Sequence, residues 1–426
     1  MRIAFKTFGC RLNQAETDRF IADSAAAGWQ VVPFAAPADV VVIHGCAVTH
    51  TAELKCQQLA RGIKRAALAA GAASPFVVLV GCVVEADAAR QDVAGVDLLV
   101  ARGDKERLVE IVCARLGEVA PDRSDPSDLS DRPDLPPPPR RKRAFLKVQD
   151  GCDFCCSYCI VPHTRGAPVS RPWPRVLDEA RALAQAGFAE LVVTGCNVAC
   201  YRDGARGLAD LLAAIAALDA VQRIRLSSVE PGTSEREIID LMSACRKLCR
   251  YLHLPLQSGD AGTLRRMGRT YTPESFAAMA QYAAQRMPDL GLGTDIIAGF
   301  PGETDAAFER TRQFVAALPF SNLHIFPYSE RPGTPAETFA DRVPVSVRKA
   351  RARELIRLGV EMRQAFARRF VGRTVDVLIE HISKDGRGCG WSSEYLGCRV
   401  AGVGRAQIGR IVPFTPAGVE PGGVLA

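Results

Sequence analysis

The chain has 426 residues, enough for two or three domains with cores of their own at the usual scale of about 150 residues each. Hydrophobic residues at 48% and charged residues at 24% exclude a disordered or collagen-like chain, and no stretch approaches the roughly 20 uninterrupted apolar residues that span a bilayer. A net charge of +7 permits a nucleic-acid partner without demanding one, and 15 cysteines are too sparse for a secreted disulfide scaffold. Clustered cysteines in such a chain point to metal or redox chemistry.

Residues 1–6 run directly into a strand-like pattern, without the charged start, apolar core and cleavage site of a secretory signal, so a cytoplasmic location and no membrane contact are expected. Short apolar runs at 3–5, 40–43 and 76–80 alternate with helix-like stretches at 13–27, 51–69 and 105–116, which predicts a parallel α/β domain over 1–120. Residues 121–143 carry Ser, Asp, a proline run and then Arg140, Arg141, Lys142 and Arg143, and read as a linker.

From 144 to 345, strand-like segments at 144–148, 191–194, 224–227, 251–256, 294–299 and 323–328 alternate with helix-like segments near 174–186, 208–218, 235–249, 273–286 and 305–317. In the first of these helices Val176, Leu177, Ala180, Leu183 and Ala184 form one apolar stripe, and Gly187 suits its C-terminal cap. Six strands joined by right-handed crossovers predict a closed or partial (β/α)6 barrel. A basic helical connector follows at 346–370, containing Arg348, Arg351 and Arg353. Short strands at 374–380, 399–403 and 407–412, separated by glycines, predict a small β-barrel over 371–426.

The strongest chemical signal is Cys152, Cys156 and Cys159 in a C-x3-C-x2-C loop just after the first barrel strand. Three thiolates on one short loop suit one corner-open four-iron cluster, leaving an iron free for substrate or cofactor. Three incidental buried thiols, or a zinc site using nearby His163, are the alternatives, and Cys155 falls outside the spacing as a bystander. Cys10, Cys46 and Cys82 recur at an interval of 36 residues, each after a glycine and an apolar strand. A parallel sheet would gather them at one carboxyl edge, where α/β sheets bind ligands; three buried core thiols are the alternative.

Cys56, Cys113, Cys245 and Cys249 read as small core residues on helices, Cys196 and Cys200 lack a third partner, and Cys389 and Cys398 have no reason to be bridged in a reducing cytosol. The predicted barrel strands end in polar residues that suggest a cofactor pocket: Thr194, Gly195, Asn197, Ser228, Glu230 and Gln257.

These features resemble the radical S-adenosylmethionine (SAM) methylthiotransferases over nearly the whole chain. The resemblance is carried by 7-TFGCRLNQAE-16, Cys46-Ala47-Val48-Thr49, Ile160-Val161-Pro162 with Arg165-Gly166, 253-HLPLQSG-259 and 299-GFPGET-304. It implies a radical SAM barrel, a C-terminal TRAM-like RNA-binding module and two 4Fe-4S clusters. Cys152, Cys156 and Cys159 would hold the cluster that binds SAM, and Cys10, Cys46 and Cys82 an auxiliary cluster that presents the sulfur to be transferred. Segments 13-NQAE-16 and 324-HIFPYS-329 are similar to the branch that methylthiolates carbon 2 of threonylcarbamoyladenosine beside the tRNA anticodon. Sister branches act on isopentenyladenosine in tRNA or on a ribosomal-protein aspartate; a two-cluster RNA-binding protein without turnover is the reading from another class.

The resemblance also implies a low-potential electron donor and leaves the sulfur source open. Arg140, Arg141, Lys142, Arg143, Arg348, Arg351 and Arg353 are expected to meet RNA phosphates. His44 and Gly45 stand where the family usually has Asn-Thr, Val83 where an aromatic residue commonly follows Cys82, and Cys155 where Phe is frequent.

Overall fold

A computed structural model describes residues 1–48, 50–86, 93–118 and 141–426. The linker expected at 121–143 lies outside the described residues up to Arg140. Two compact units divide the chain. One comprises Met1–Pro139, Asp150–Pro168 and Ser329–Glu337; the other comprises Arg140–Gln149, Val169–Tyr328 and Thr338–Ala426. The three-cysteine loop thus groups with the N-terminal residues, whereas sequence order alone put it with the barrel. No described helix is long and apolar enough to cross a membrane.

In the first unit five parallel strands stand in the order Gln30–Val31, Arg2–Thr7, Val40–Gly45, Phe76–Gly81 and Leu98–Val100. Their Val, Ile and Leu runs are buried on both faces, as parallel strands covered by helices must be. Ile3, Val40, Val42, Val78 and Val80 pack with Phe20 of helix Arg11–Ala26 and Val112 of helix Leu108–Leu116. On the opposite face Val41, Ile43, Val77 and Leu79 pack with Cys56 and Ala60 of helix His50–Ala69. Thr7 pairs with His44 and Gly45 with Gly81, so the three central strands end level.

In the second unit six parallel strands follow one another in sequence order. Arg143–Lys147, Glu190–Thr194 and Arg223–Leu226 form one three-stranded run; Tyr251–His253, Gly291–Ala298 and Asn322–Pro327 form the other. Single parallel bridges, Ile224 with Leu248 and Ser228 with His253, join the two runs into an arc. The helix expected over 235–249 stops at Ala244, because Cys249 N–H donates to Ile224 O and Ile224 N–H to Lys247 O, which captures 247–249 against the strand.

Helix Val345–Arg368 packs Phe366 and Ala367 into the core of a six-stranded C-terminal sheet, with Val375, Val377 and Ile379. Strand Gly388–Ser392 of that sheet was not legible in the sequence, since its glycines read as turn residues. Buried charge ties the sheet to the arc. Glu190 is fully buried between Arg223 Nε at 2.6 Å and Arg225 Nε at 2.8 Å. The same guanidinium groups donate to Asp376 O and Trp391 O, and to Ser392 O and Ser393 O, at 2.9–3.2 Å.

Candidate functional site

In the first unit Cys10, Cys46 and Cys82 follow the strand ends just described, Cys10 preceding helix Arg11–Ala26 and Cys82 opening helix Cys82–Glu85. The three thiols lie near one another: Cys10 and Cys82 both disfavour ionisation of Cys46, and Cys82 disfavours that of Cys10. Burial is the larger effect: it pushes Cys46 up to about 12 and also raises Cys10, which solvent still touches although protein atoms crowd around it. The close approach depends on glycine. Gly9 has φ +101°, and a Cβ there would sit 2.5 Å from Cys46 Cβ and 2.9 Å from its Sγ. Gly81, also at φ +101°, leaves room for the His44 ring in the same way.

The loop carrying Cys152, Cys156 and Cys159 belongs to the same unit. Its fold is set locally: Cys152 N–H donates to Gly166 O and Cys159 N–H to Cys156 O, both at 3.0 Å. Phe154 N–H and Val161 N–H point at the sulfurs of Cys152 and Cys159 at 3.5 and 3.4 Å. Cys155 is exposed, its Sγ 3.8 Å from Asp153 O, and His163 is exposed as well.

Arg165, at the end of the short helix that follows the loop, reaches the other trio. Its side chain is 4% exposed. Nε donates to Cys82 Sγ at 3.1 Å, Nη2 to Asn13 Oδ1 at 2.6 Å, and Nη1 to Asp150 Oδ1 at 2.9 Å and Glu16 Oε1 at 3.2 Å. Lys105 bridges the same two carboxylates, at 2.5 Å to Glu16 and 3.2 Å to Asp150. Asn13 also donates to Phe8 O and Gly45 O, locking the loop before Cys10 to the strand before Cys46. His44 is buried beside Thr17 and Glu16, and burial depresses its pKa, with Glu16 opposing. Sequence reasoning quoted Asn13, Glu16 and Arg165 as motif letters but gave them no task.

The polar strand ends lie in the second unit. Thr194 is buried, and Gly195 leaves space for Gln149, where a Cβ would meet the Gln149 carbonyl at 2.8 Å. Asn197 is 1% exposed, yet neither its Oδ1 nor its Nδ2 has a partner among the described residues. Ser228 is exposed, while the hydroxyl of neighbouring Ser227 is buried without a partner among the described residues. Glu230 pairs with Arg269; burial raises its pKa and Arg269 opposes the shift. Gln257 is buried with φ +66°, held by its backbone to Asp295 and Ile297.

Sequence reasoning missed a cluster beside these residues. Asp295 Oδ1 lies 3.0 Å from His253 Nε2 and 3.3 Å from His324 Nδ1. Burial alone would raise the Asp295 carboxyl, but the two imidazoles hold it well below the ordinary range. Tyr251 and Asn322 bond the outer ring nitrogens, which fixes both rings. All three lie in the first half of predicted strands 251–256, 294–299 and 323–328, so their matching places on successive strands were the available signal.

The basic residues divide sharply. Arg348 is buried and donates to Val343 O and Tyr328 O; Arg351 is buried against Glu303 and Asp305. Their charges are therefore satisfied internally, which removes both from the expected phosphate contacts. Arg353 is exposed. Arg143 pairs with Glu380, Arg141 lies over the Phe145 ring, and Lys142 is half-buried.

Residues 146–315 match the model of the radical SAM superfamily, and residues 2–101 match that described as Uncharacterized protein family UPF0004. The chain is 33% identical over 393 residues to the threonylcarbamoyladenosine tRNA methylthiotransferase MtaB of Bacillus subtilis (strain 168), covering 90% of this chain and 86% of the relative. It is 35% identical over 423 residues to the tRNA-2-methylthio-N(6)-dimethylallyladenosine synthase of Roseobacter denitrificans, covering 97% and 95%. Among solved structures, the radical SAM methyltransferase TsrM of Kitasatospora setae, with cobalamin and a [4Fe-4S] cluster bound, aligns with a TM-score of 0.57 at 15% identity over 79% of this chain and 77% of that one. That likeness supports the radical SAM fold, with parallel α/β sheets and a sheet-rich C-terminal region.

Proposed function

The chain belongs to the radical SAM tRNA methylthiotransferases, and we propose that it places a methylthio group on carbon 2 of threonylcarbamoyladenosine beside the tRNA anticodon. The observation that carries this choice of nucleoside is the exposed His324, which the half-buried Asp295 orients on one side and Asn322 on the other. A fixed polar edge suits the hydroxyl, amide and carboxylate of a threonylcarbamoyl group better than an apolar isopentenyl chain, which would leave those groups without partners. Dimethylallyladenosine is the second reading, favoured by the equal similarity to synthases of that type.

The donor chemistry of the first unit fits two anionic clusters. Each trio offers three thiols, which suit iron–sulfur ligation, and Arg165 supplies a cationic donor at Cys82. Cys152, Cys156 and Cys159 would hold one 4Fe-4S cluster, and Cys10, Cys46 and Cys82 the other. When bound, these groups supply reductive cleavage of SAM and a sulfur-bearing site, which is how an unactivated carbon–hydrogen bond is reached. Asn197, whose side-chain amide has no partner among the described residues, is the strongest of the proposed SAM contacts; Thr194, Gly195, Ser228, Glu230 and Gln257 complete the set. The Arg269 partner holds the Glu230 carboxylate in place, and the positive φ of Gln257 fixes where its side chain leaves the backbone.

We read the arc of six strands as a partial (β/α)6 barrel, the C-terminal sheet as TRAM-like, and the domains as residues 1–120, 144–345 and 371–426. An electron donor of low potential completes the system, and Arg353 remains the proposed phosphate contact on the basic helix. Mass spectrometry of tRNA nucleosides, with and without the protein, tests the function. Loss of the methylthio form of threonylcarbamoyladenosine is expected. Loss of the dimethylallyl form alone would transfer the assignment to the second reading.

A further inference from the structure

The Arg165 guanidinium occupies a site built around it. It is nearly fully buried, and four residues fix its orientation: Asn13 and Glu16 from the helix after Cys10, Asp150 from just before the three-cysteine loop, and Cys82 from the sheet edge. Lys105 shares the Glu16 and Asp150 carboxylates with Arg165. The guanidinium charge still favours the Cys10 thiolate, and beside that charge its Nε–H is aimed at Cys82 Sγ from 3.1 Å, a directed hydrogen bond that a bare cation would not supply. The backbone N–H groups directed at Cys46, Cys152 and Cys159 stand further off, at 3.4–3.5 Å.

We propose that Arg165 is a positioning residue that raises the reduction potential of the cluster on Cys10, Cys46 and Cys82 through its Nε–H bond to the Cys82 sulfur. The inference rests on the reading of that trio as cluster ligands. A hydrogen bond to a ligating sulfur stabilises the electron-richer, reduced cluster, which raises its potential. Arg165 suits the task because it leaves the same short helix that closes the three-cysteine loop. The donor to Cys82 therefore leaves the chain from the segment that follows the second trio.

The test uses full-length protein with Cys152, Cys156 and Cys159 replaced by alanine, reconstituted anaerobically with iron and sulfide so that the other trio alone can hold a cluster. Iron and sulfide analysis comes first. If this parent holds no cluster, the ligand assignment fails and the proposal falls with it. With the cluster present, EPR-monitored potentiometric titration compares the parent with Arg165→Gln and Arg165→Lys. Both substitutions are expected to move the midpoint to a more negative potential at unchanged iron content, because lysine keeps the charge but lacks the fixed Nε–H. An unchanged midpoint in both overturns the proposal. A negative shift in Arg165→Gln with a parental midpoint in Arg165→Lys also overturns it, since charge alone would then be acting. Should Arg165→Gln fail to fold, Arg165→Lys decides: a parental midpoint there refutes the hydrogen bond, and a more negative one supports it.

Discussion

Replacing Glu190 by glutamine is expected to destabilise the second unit by about 3 kcal/mol, because it leaves two buried guanidinium groups facing a neutral amide. The magnitude follows from the carboxyl itself. Burial would raise its pKa, but Arg225 first and then Arg223 overcome that and bring it from 4.5 down to about 2. At about 1.4 kcal/mol per unit, the difference is about 3 kcal/mol. The sign with pH is fixed by the depression: the contribution is complete above about pH 4.5, where the unfolded carboxyl ionises, and is lost as pH falls towards 2. Trp391 reports locally, since its carbonyl accepts from Arg223 and its ring stacks on Tyr395. With Trp29 and Trp173 changed to Phe, urea unfolding followed by Trp391 fluorescence at pH 7 should show an earlier midpoint for Glu190→Gln. The gap between variant and parent should narrow below pH 4.5. A midpoint equal to the parent's at pH 7 would refute the argument that Glu190 neutralises this core.

At Gly9, alanine is expected to cost about 1–3 kcal/mol, because the positive φ disfavours any side chain and the new Cβ collides with Cys46; thermal melting measures it, and bound iron should fall in parallel. Asn197→Ala should leave the melting temperature unchanged or slightly higher, since its side-chain amide has no partner among the described residues, while SAM affinity in equilibrium dialysis drops about tenfold, the worth of roughly one good hydrogen bond. Arg353→Ala should weaken tRNA binding and lower the salt slope by about one. Arg351→Ala should leave that slope unchanged and instead destabilise the fold by about 3 kcal/mol, as it strips a buried partner from Glu303.

Periodicity carried the architecture well where local signals and tertiary demands agreed. The runs at 40–43 and 76–80 are β-branched or leucine-rich and bounded by glycine, and they are the central strands of the first unit. The interval of 36 residues between Cys10, Cys46 and Cys82 has a structural cause: each strand–helix repeat returns the chain to the same sheet edge. Where long-range pairing overrides local preference, the sequence misled. Residues 245–249 look helical but turn and meet Ile224 through a single bridge at Leu248, and the Gly388–Ser392 strand exists because Val375–Ile382 pairs with it. Charge was the least legible property. Arg348, Arg351 and Arg353 are equivalent on a composition count, yet helical geometry turns the first two inward, where Tyr328, Glu303 and Asp305 meet them. Asn13, Glu16, Asp150 and Arg165 lie up to 152 residues apart in the chain, so their convergence needed coordinates.

The departure at His44 belongs to the same cluster, where the imidazole stands beside Glu16, Arg165 and Lys105. Burial lowers the His44 pKa more than Glu16 raises it, so the ring enters as a neutral group. Its Nδ1 meets the Thr17 hydroxyl at 2.9 Å, and Thr17 in turn donates to Asn13 O, so the ring is joined to the helix that presents Asn13 and Glu16 to Arg165. Space for the ring comes from the neighbouring strand: at Gly81 a Cβ would lie 2.5 Å from His44 Cδ2, and at Gly45 one would lie 2.2 Å from Val83 Cγ1. His44, Gly45, Gly81 and Val83 are therefore one packing solution. A change at His44 towards a smaller residue would open a void beside Gly81, and a larger residue at position 83 would require more room than Gly45 leaves.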